Sequence, residues 1–443
     1  MYLYGCQQVL LSPDKELTAV LEFICQTANS LTNCGIYYAR QIYFKTKKFI
    51  GKYNLEAEYK TNKHFKALHS QAAQQVLRSV SESFESFKKL KQAFNRGEIV
   101  DKPRPPHYRK SGGFALVSYP KQALKLMDNK IRIPLGKQVK CWFGLDCFFV
   151  PMPSNLKFAD IKELRILPRN RCFYIEFVYK TNTLVVDVDL NNVLGIDPGL
   201  SNWLTCTSNV GTSFIVDGKH VKSLNRWYNK RVSTLKENKP QGFWSNLLAA
   251  ITEKRNRQMK DAVNKAARLV INHCIEHHIG TIAFGWNQRQ RQQVNLGKTN
   301  QSFVQIPTAR LKERINQLCQ QYGIRFVETE EANTSAASFL DNDTLPKHGE
   351  KPENWRASGK RVKRGLYRTA NNWYINCDAQ AAANIIRKVA VTLGLNLSGI
   401  SRGSLTAPQR IRLWSAKKKR YAGCLQKQAD AEVSSALKLR TPA

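Results

Sequence analysis

The chain has 443 residues, 42% of them hydrophobic, and carries 70 Lys and Arg against 33 Asp and Glu, a formal charge of +37. That length supports about two to four domains with ordinary cores, and a charge that large makes a compact chain repel itself and calls for a polyanionic partner, nucleic acid first. No apolar run reaches the ~18 residues a spanning helix needs, and Met1 opens no signal-peptide pattern, so the expectation is a soluble intracellular protein with no membrane partner.

In chain order, residues 1–12 read as a strand and Ser12-Pro13-Asp14 opens a helical region that runs to about Gly97. Leu17, Leu21, Ile24 and Cys25 recur at helical spacing, and Val76, Val80, Phe84 and Phe87 repeat the pattern over Gln71 to Phe94. Lys45, Lys47, Lys48 and Lys52 stud this region where acids are too scarce to pair them, which points to nucleic-acid contact. Pro103, Pro105 and Pro106 then break the helix. A β-rich region follows, with strands predicted at 130–134, 138–143, 161–167 and 172–179. Phe114 and Tyr119 sit among basic residues there and either stack on bases or fill a small barrel.

From Leu190 the pattern changes to α/β alternation. Strands 193–196 and 203–207 suggest a hairpin. A long helix covers about 244–278, closed by Gly280 as C-cap, before a strand at 281–284. Pro307 suits the first turn of a helix ending near Tyr322-Gly323, and 324–327 is a further strand. Residues 340–373 read as a basic irregular insertion. The stretch 396–443 reads as a basic tail, disordered without its partner. The 11 cysteines are scattered with no C-x-x-C, which excludes a disulfide framework and offers no clustered ligands for zinc.

The chemistry lies in the acids. Val193-Leu194-Gly195-Ile196-Asp197-Pro198-Gly199 is an apolar run closed by a carboxylate and a sharp turn. Asp378 opens the late Ala-rich helix, and Glu331 lies just past the strand 324–327. Two-metal phosphodiester hydrolysis needs several carboxylates converging on ions about 4 Å apart, and acids at strand ends and helix starts can converge from distant parts of a chain. The strand at 281–284, followed by Gly285, carries no acid. Glu328, Glu330 and Glu331 are the nearest supply. The Gly-Ile-Asp-x-Gly turn also opens a phosphate-binding hairpin in actin-like and sugar-kinase ATPases. Those need a second Asp-x-Gly turn and a Gly-rich adenosine loop, and neither occurs here.

Leu194 to Leu204 resembles the first RuvC motif of the insertion-sequence-encoded TnpB proteins, RNA-guided nucleases related to type V CRISPR effectors. The resemblance extends through 295–298, 300–307, Glu330-Glu331-Ala332-Asn333-Thr334-Ser335, 337–346, 359–367 and 376–385. The part before the first RuvC motif fits more loosely. The resemblance implies a branch in which the second acid is relocated to Glu331, so that its absence at Gly285 is expected. It implies an α/β multidomain protein. A β-barrel wedge is built from 1–12 and 106–188, with a helical recognition lobe, 13–105, inserted in it. An RNase H-like (RuvC) nuclease domain spans 189–395.

On this reading Asp197, Glu331 and Asp378 are catalytic and hold Mg²⁺ or Mn²⁺, and Lys360, Arg361, Lys363 and Arg364 contact nucleic-acid backbone. The implied partners are a guide RNA from the transposon end and double-stranded target DNA cut beside a short adjacent motif, in the cytoplasm of a prokaryotic cell. The family's zinc-finger cysteines are missing, so no zinc is expected. Asn333 stands where an aromatic is common, and Cys377 and Gln380 replace the usual Ala and Asn beside the last acid. The alternative is an RNA-guided DNA-binding protein that does not cut, acting as a repressor or a transposition partner. A protein that binds only its own transcript is a third option.

Overall fold

The computed structural model describes residues 2–287 and 306–414, and the chain divides into two units, Met1–Asn182 and Thr183–Ala443. The motif residues between 288 and 305 and the stretch 415–443 lie outside the described residues.

In the first unit, β1 (Tyr2–Leu10) is followed by α1 (Lys15–Thr46), capped by Asp14, whose side chain accepts from the Leu17 N–H at 2.8 Å. Next come α2 (Lys52–Tyr59), α3 (Lys63–Ala67) and α4 (Ser70–Asn95). Leu21, Ile24, Ala28 and Leu31 of α1 are fully or almost fully buried and belong to one apolar core with Val76, Val80, Phe84 and Phe87 of α4. Gly35 lets these helices approach, since a Cβ there would lie 3.2 Å from Leu77 Cδ2. The remaining elements are β2 (Val117–Pro120), β3 (Lys125–Met127), β4 (Lys130–Pro134), α5 (Lys137–Phe143), β5 (Cys147–Pro151), β6 (Ile161–Arg169) and β7 (Cys172–Asn182). One sheet has the order β1-β7-β6-β2 and another β3-β4-β5. The N-terminal strand thus pairs along its whole length with β7, antiparallel. One expectation is corrected: 138–143 lies in a helix, bounded by Gly136 as N-cap and by Gly144 in the left-handed region at φ 71°.

The second unit begins with β8 (Asp189–Pro198), β9 (Asn202–Ser208), β10 (Ser213–Asp217), α6 (Lys219–Lys236), α7 (Asn246–Glu276) and β11 (Ile279–Gly285). It continues with α8 (Thr308–Tyr322), β12 (Arg325–Thr329), β13 (Lys360–Lys363), β14 (Leu366–Arg368), β15 (Tyr374–Asn376), α9 (Cys377–Leu393), α10 (Arg402–Thr406) and β16 (Gln409–Ile411). Its main sheet has the order β12-β11-β8-β9-β10-β16. The meander β8-β9-β10 is antiparallel, while β11 runs parallel to both β8 and β12. The result is a mixed α/β sheet.

Strand alternation sorts the two faces of that sheet. Leu194, Ile196, Ile282 and Phe284 belong to the core shared with α7 and α8. Val193 and Ala283 belong to the core shared with α9. Gly195 faces α9 so closely that an added Cβ would collide with the Ala382 carbonyl oxygen.

Three further expectations are corrected here. Gly280 is buried inside β11 rather than capping α7; the turn is made by His277 and by His278 at φ 51°. The insertion 340–373 is not wholly irregular, because it holds β13 and β14, which form a small antiparallel sheet with β15 just beyond it. The tail expected to be disordered from 396 holds α10 and β16, with Leu405 fully buried, as far as residue 414. Among the described residues no helix is long and apolar enough to cross a membrane.

Candidate active site

Asp197 lies at the end of β8 in register with Thr205. It follows Val193 and Gly195 on the α9 face, where the Thr207 hydroxyl donates to the Ala379 carbonyl at 3.0 Å. Burial pushes the Cys206 thiol well above its usual range, with Cys274 and Asp197 adding to the rise. Asp378 stands in the first turn of α9, where a negative charge is favoured by the helix dipole. The Asn376 side chain caps that turn, accepting from the N–H groups of Asp378 and Ala379 at 3.0 Å each.

Glu331 arrives from the turn after β12. Phe284 pairs with Ile196 on β8, and Gly285 pairs with Thr329 on β12. Gly285 is therefore the strand neighbour of Asp197 and shares its face. A Cβ on Gly285 would lie 2.6 Å from Ile385 Cδ1, 2.9 Å from Glu331 Cγ and 3.1 Å from Glu331 Oε1. The side chain of Glu331 thus lies over the strand position where an acid was missing, and the glycine leaves room for it.

The local sequence explains this turn. The Thr334 hydroxyl donates to the Glu331 carbonyl at 2.9 Å. Fully buried Asn384 of α9 donates to the carbonyls of Thr334 and Ala337 at 2.9 and 2.8 Å, tying the turn to the helix that carries Asp378. Asn333 sits in the left-handed region at φ 61°, a conformation Asn tolerates better than an aromatic does. The neighbouring acids are committed elsewhere. Glu328 accepts from Lys312 at 2.7 Å and Glu330 from Lys388 at 2.7 Å. Burial works against ionisation of Glu330, but Lys388 and the His348 N–H outweigh it and hold the carboxyl below its usual range. Glu331 instead meets the Asn287 side chain, which accepts from its N–H at 3.0 Å and donates to its carboxylate at 3.4 Å.

Glu331 therefore lies beside the strand neighbour of Asp197, and Asp378 opens the helix that packs on the same face. Carboxylates are the hard oxygen donors that Mg²⁺ prefers, so the donor set suits that ion. Among the described residues no group of three or more His, Cys, Asp or Glu side chains is placed so that it could hold a metal ion. Mg²⁺ keeps several of its waters and takes one or two carboxylates, so an open edge of this kind is compatible with it.

Lys360, Arg361, Lys363 and Arg364 are all exposed, on β13 and the turn after it. Arg364 Nη2 donates to Ser201 Oγ at 3.4 Å, in the turn that follows Asp197. Arg361 pairs with Tyr367 across the β13–β14 hairpin. In the first unit, Lys45, Lys47, Lys48 and Lys52 are exposed around the α1–α2 junction. Phe114 is 41% exposed and lies 6.4 Å from the Phe173 ring.

Tyr119 is a correction. It is 1% exposed in the first unit's core, so its ring has no face to offer a base. Gln380, two residues after Asp378, is buried completely. Sequence reasoning missed Asn202, which donates to Asp378, and Arg410, which donates to Asn202. Asn202 lay within the first motif but carried no charge to mark it. Arg410 lay in a stretch read as tail.

A profile of the OrfB_IS605 family, described as a probable transposase, matches residues 176–291. No curated protein matches the chain. Among solved structures, the fold is similar to the protein of a Cas12f1–sgRNA–target DNA complex, with a TM-score of 0.55 and 15% identity over 84% of this chain and 83% of that one. The mini-RNA-guided endonuclease CRISPR-Cas phi3 aligns over 90% of this chain and 93% of its own at 9% identity, with a TM-score of 0.43. The profile covers about a quarter of the chain, and the likeness to the Cas12f1 protein is one of fold.

Proposed function

We propose that this protein is an RNA-guided DNA endonuclease of a transposable element, which cuts double-stranded DNA beside a short adjacent motif. The observation that supports the reading is the seat of Glu331 over Gly285, the strand neighbour of Asp197. These three carboxylates would hold Mg²⁺ or Mn²⁺. The metal would supply a Lewis acid for charge developing on the scissile phosphodiester. Arg364, which reaches Ser201 in the turn after Asp197, and Lys360, Arg361 and Lys363 with it would grip the nucleic-acid backbone as it crosses the site. The sheet β1-β7-β6-β2 with β3-β4-β5 would serve as the wedge, and α1–α4 with Lys45, Lys47, Lys48 and Lys52 as the recognition lobe. A guide RNA from the transposon end would supply sequence choice by pairing, with the protein reading backbone shape and the adjacent motif. No zinc is expected in the functional complex.

A second reading, guided DNA binding without cutting, draws support from the lack of a ready-made three-ligand cage among the described residues. Co-expression with the neighbouring locus, sequencing of the bound RNA and challenge with matched DNA in Mg²⁺ decide between the two. The nuclease reading expects one specific RNA, cleavage that stops with chelator, and loss of cleavage by orders of magnitude in Asp197→Asn, Glu331→Gln and Asp378→Asn, with guided binding retained. Guided binding by the wild type without cleavage in Mg²⁺ or Mn²⁺ would establish the second reading. Random RNA fragments alone would overturn both.

A further inference from the structure

Asn202 Nδ2 donates to Asp378 Oδ2 at 2.6 Å. Arg410 of β16 donates from Nη2 to Asn202 Oδ1 at 2.8 Å and from Nη1 to Asp217 Oδ2 at 3.0 Å. Asp217 in turn accepts from the Lys219 N–H at 2.8 Å, at the start of α6. These hydrogen bonds fix an orientation that an isolated amide would leave open. A guanidinium can only donate, so the Asn202 atom it meets must be the carbonyl oxygen, and the amide nitrogen is left aimed at Asp378.

The choice of groups also follows from charge. An arginine placed directly on Asp378 would compete with a cation for the carboxylate. A neutral amide between them passes on the orientation while leaving the negative charge available. The charge of Arg410 is met by Asp217, whose side chain is only 9% exposed. The base of the relay is anchored in the main sheet: β16 pairs with β10 in parallel, Ile215 opposite Arg410, two residues before Asp217.

We propose that Arg410 and Asn202 are positioning residues for Asp378, so that a strand downstream of the catalytic helix sets the orientation of one of its ligands. The proposal rests on Asp378 holding the metal. Partners that orient metal ligands typically contribute ~10–100-fold in affinity, and the relay falls in that class.

The test uses the full-length protein and Mn²⁺ alone, with bound Mn²⁺ read from the loss of the aqueous Mn²⁺ paramagnetic resonance signal. Asn202→Ala and Arg410→Gln should each weaken Mn²⁺ binding by ~10-fold or more, and Arg410→Lys should lose less. The double variant should be no worse than Asn202→Ala alone, because both changes break one relay. The Mg²⁺ concentration for half-maximal cleavage should shift in the same order. Asn202→Ala leaves the Arg410–Asp217 pair in place, so its result stands even where Arg410→Gln lowers the melting temperature. Wild-type Mn²⁺ affinity in Asn202→Ala, with binding lost in Asp378→Asn, overturns the relay alone. Wild-type Mn²⁺ affinity in Asp378→Asn overturns the metal assignment beneath it.

Discussion

Gly285→Ala is the sharpest single perturbation of the site, because it adds one methyl and removes no functional group. The new Cβ would stand 2.6 Å from Ile385 Cδ1 and 2.9 Å from Glu331 Cγ. Carbon atoms rest at ~3.5 Å or more, so Ile385 must retreat by about 0.9 Å and Glu331 by about 0.6 Å. Both clashing atoms belong to flexible side chains, so the chain can fold at an overpacking cost of ~1–3 kcal/mol. At ~2–4 °C per kcal/mol for a unit of this size, the melting temperature should fall by a few degrees. The cost to chemistry is larger, since a displacement approaching ~1 Å at a reacting centre is worth up to ~100-fold in rate. Single-turnover cleavage of matched DNA in saturating Mg²⁺ should therefore drop by one to two orders of magnitude, ~10–100-fold, with guided binding at wild-type strength. Gly51→Ala is the control, because a Cβ there meets nothing within 4 Å and its φ is −75°. Cleavage by Gly285→Ala at the wild-type rate would refute the seat of Glu331 as a part of the active site.

Three other outcomes follow from described features. Tyr119→Ala should cost ~3–5 kcal/mol in urea unfolding while leaving nucleic-acid binding per folded molecule intact; a stable variant that no longer binds RNA would reverse the correction made for this residue. Replacing Lys360, Arg361, Lys363 and Arg364 together by Ala should lower the slope of log K against log salt by ~1 for each phosphate these side chains neutralise, and an unchanged slope would remove β13 from the interface. Burial and the neighbouring His277 push His273 down to about 4. The unfolded imidazole titrates near ~6.5, so the folded pKa is the depressed one, and this stabilisation is complete above ~6.5 and lost as pH falls toward 4. His273→Gln should flatten the decline of melting temperature over that window, and parallel curves for the two proteins would contradict it.

Local rules carried some elements and failed at others for identifiable reasons. Asp14 announced its helix because a side-chain cap is a short-range interaction. The apolar run into Asp197 announced β8 because the strand is buried on both faces. The segment 138–143 misled because Val139, Cys141 and Phe143 alternate like a strand, while the glycines on either side close a short helix. Gly280 misled because the turn it was expected to make is made by His278 at φ 51°. Glu331 was placed by its resemblance to a motif, but its seat depends on a missing Cβ on another strand. Tyr119 could not be settled locally, because an aromatic among basic residues reads alike whether it faces a base or a core. Arg410 was invisible for a different reason, since its partners, Asp217 and Asn202, lie far upstream.

The pairing of β16 with β10 also orders events in time. A ribosome delivers residues in sequence, so all of 2–182 emerges before β8 exists to start the nuclease sheet. The main sheet gains its sixth strand only when Arg410 comes to lie opposite Ile215, about 200 residues later, and such distant pairings form slowly. A nascent chain would thus expose the lysines around the α1–α2 junction to RNA long before its carboxylates are assembled. On the proposed function, synthesis itself would place contact with RNA ahead of assembly of the carboxylates.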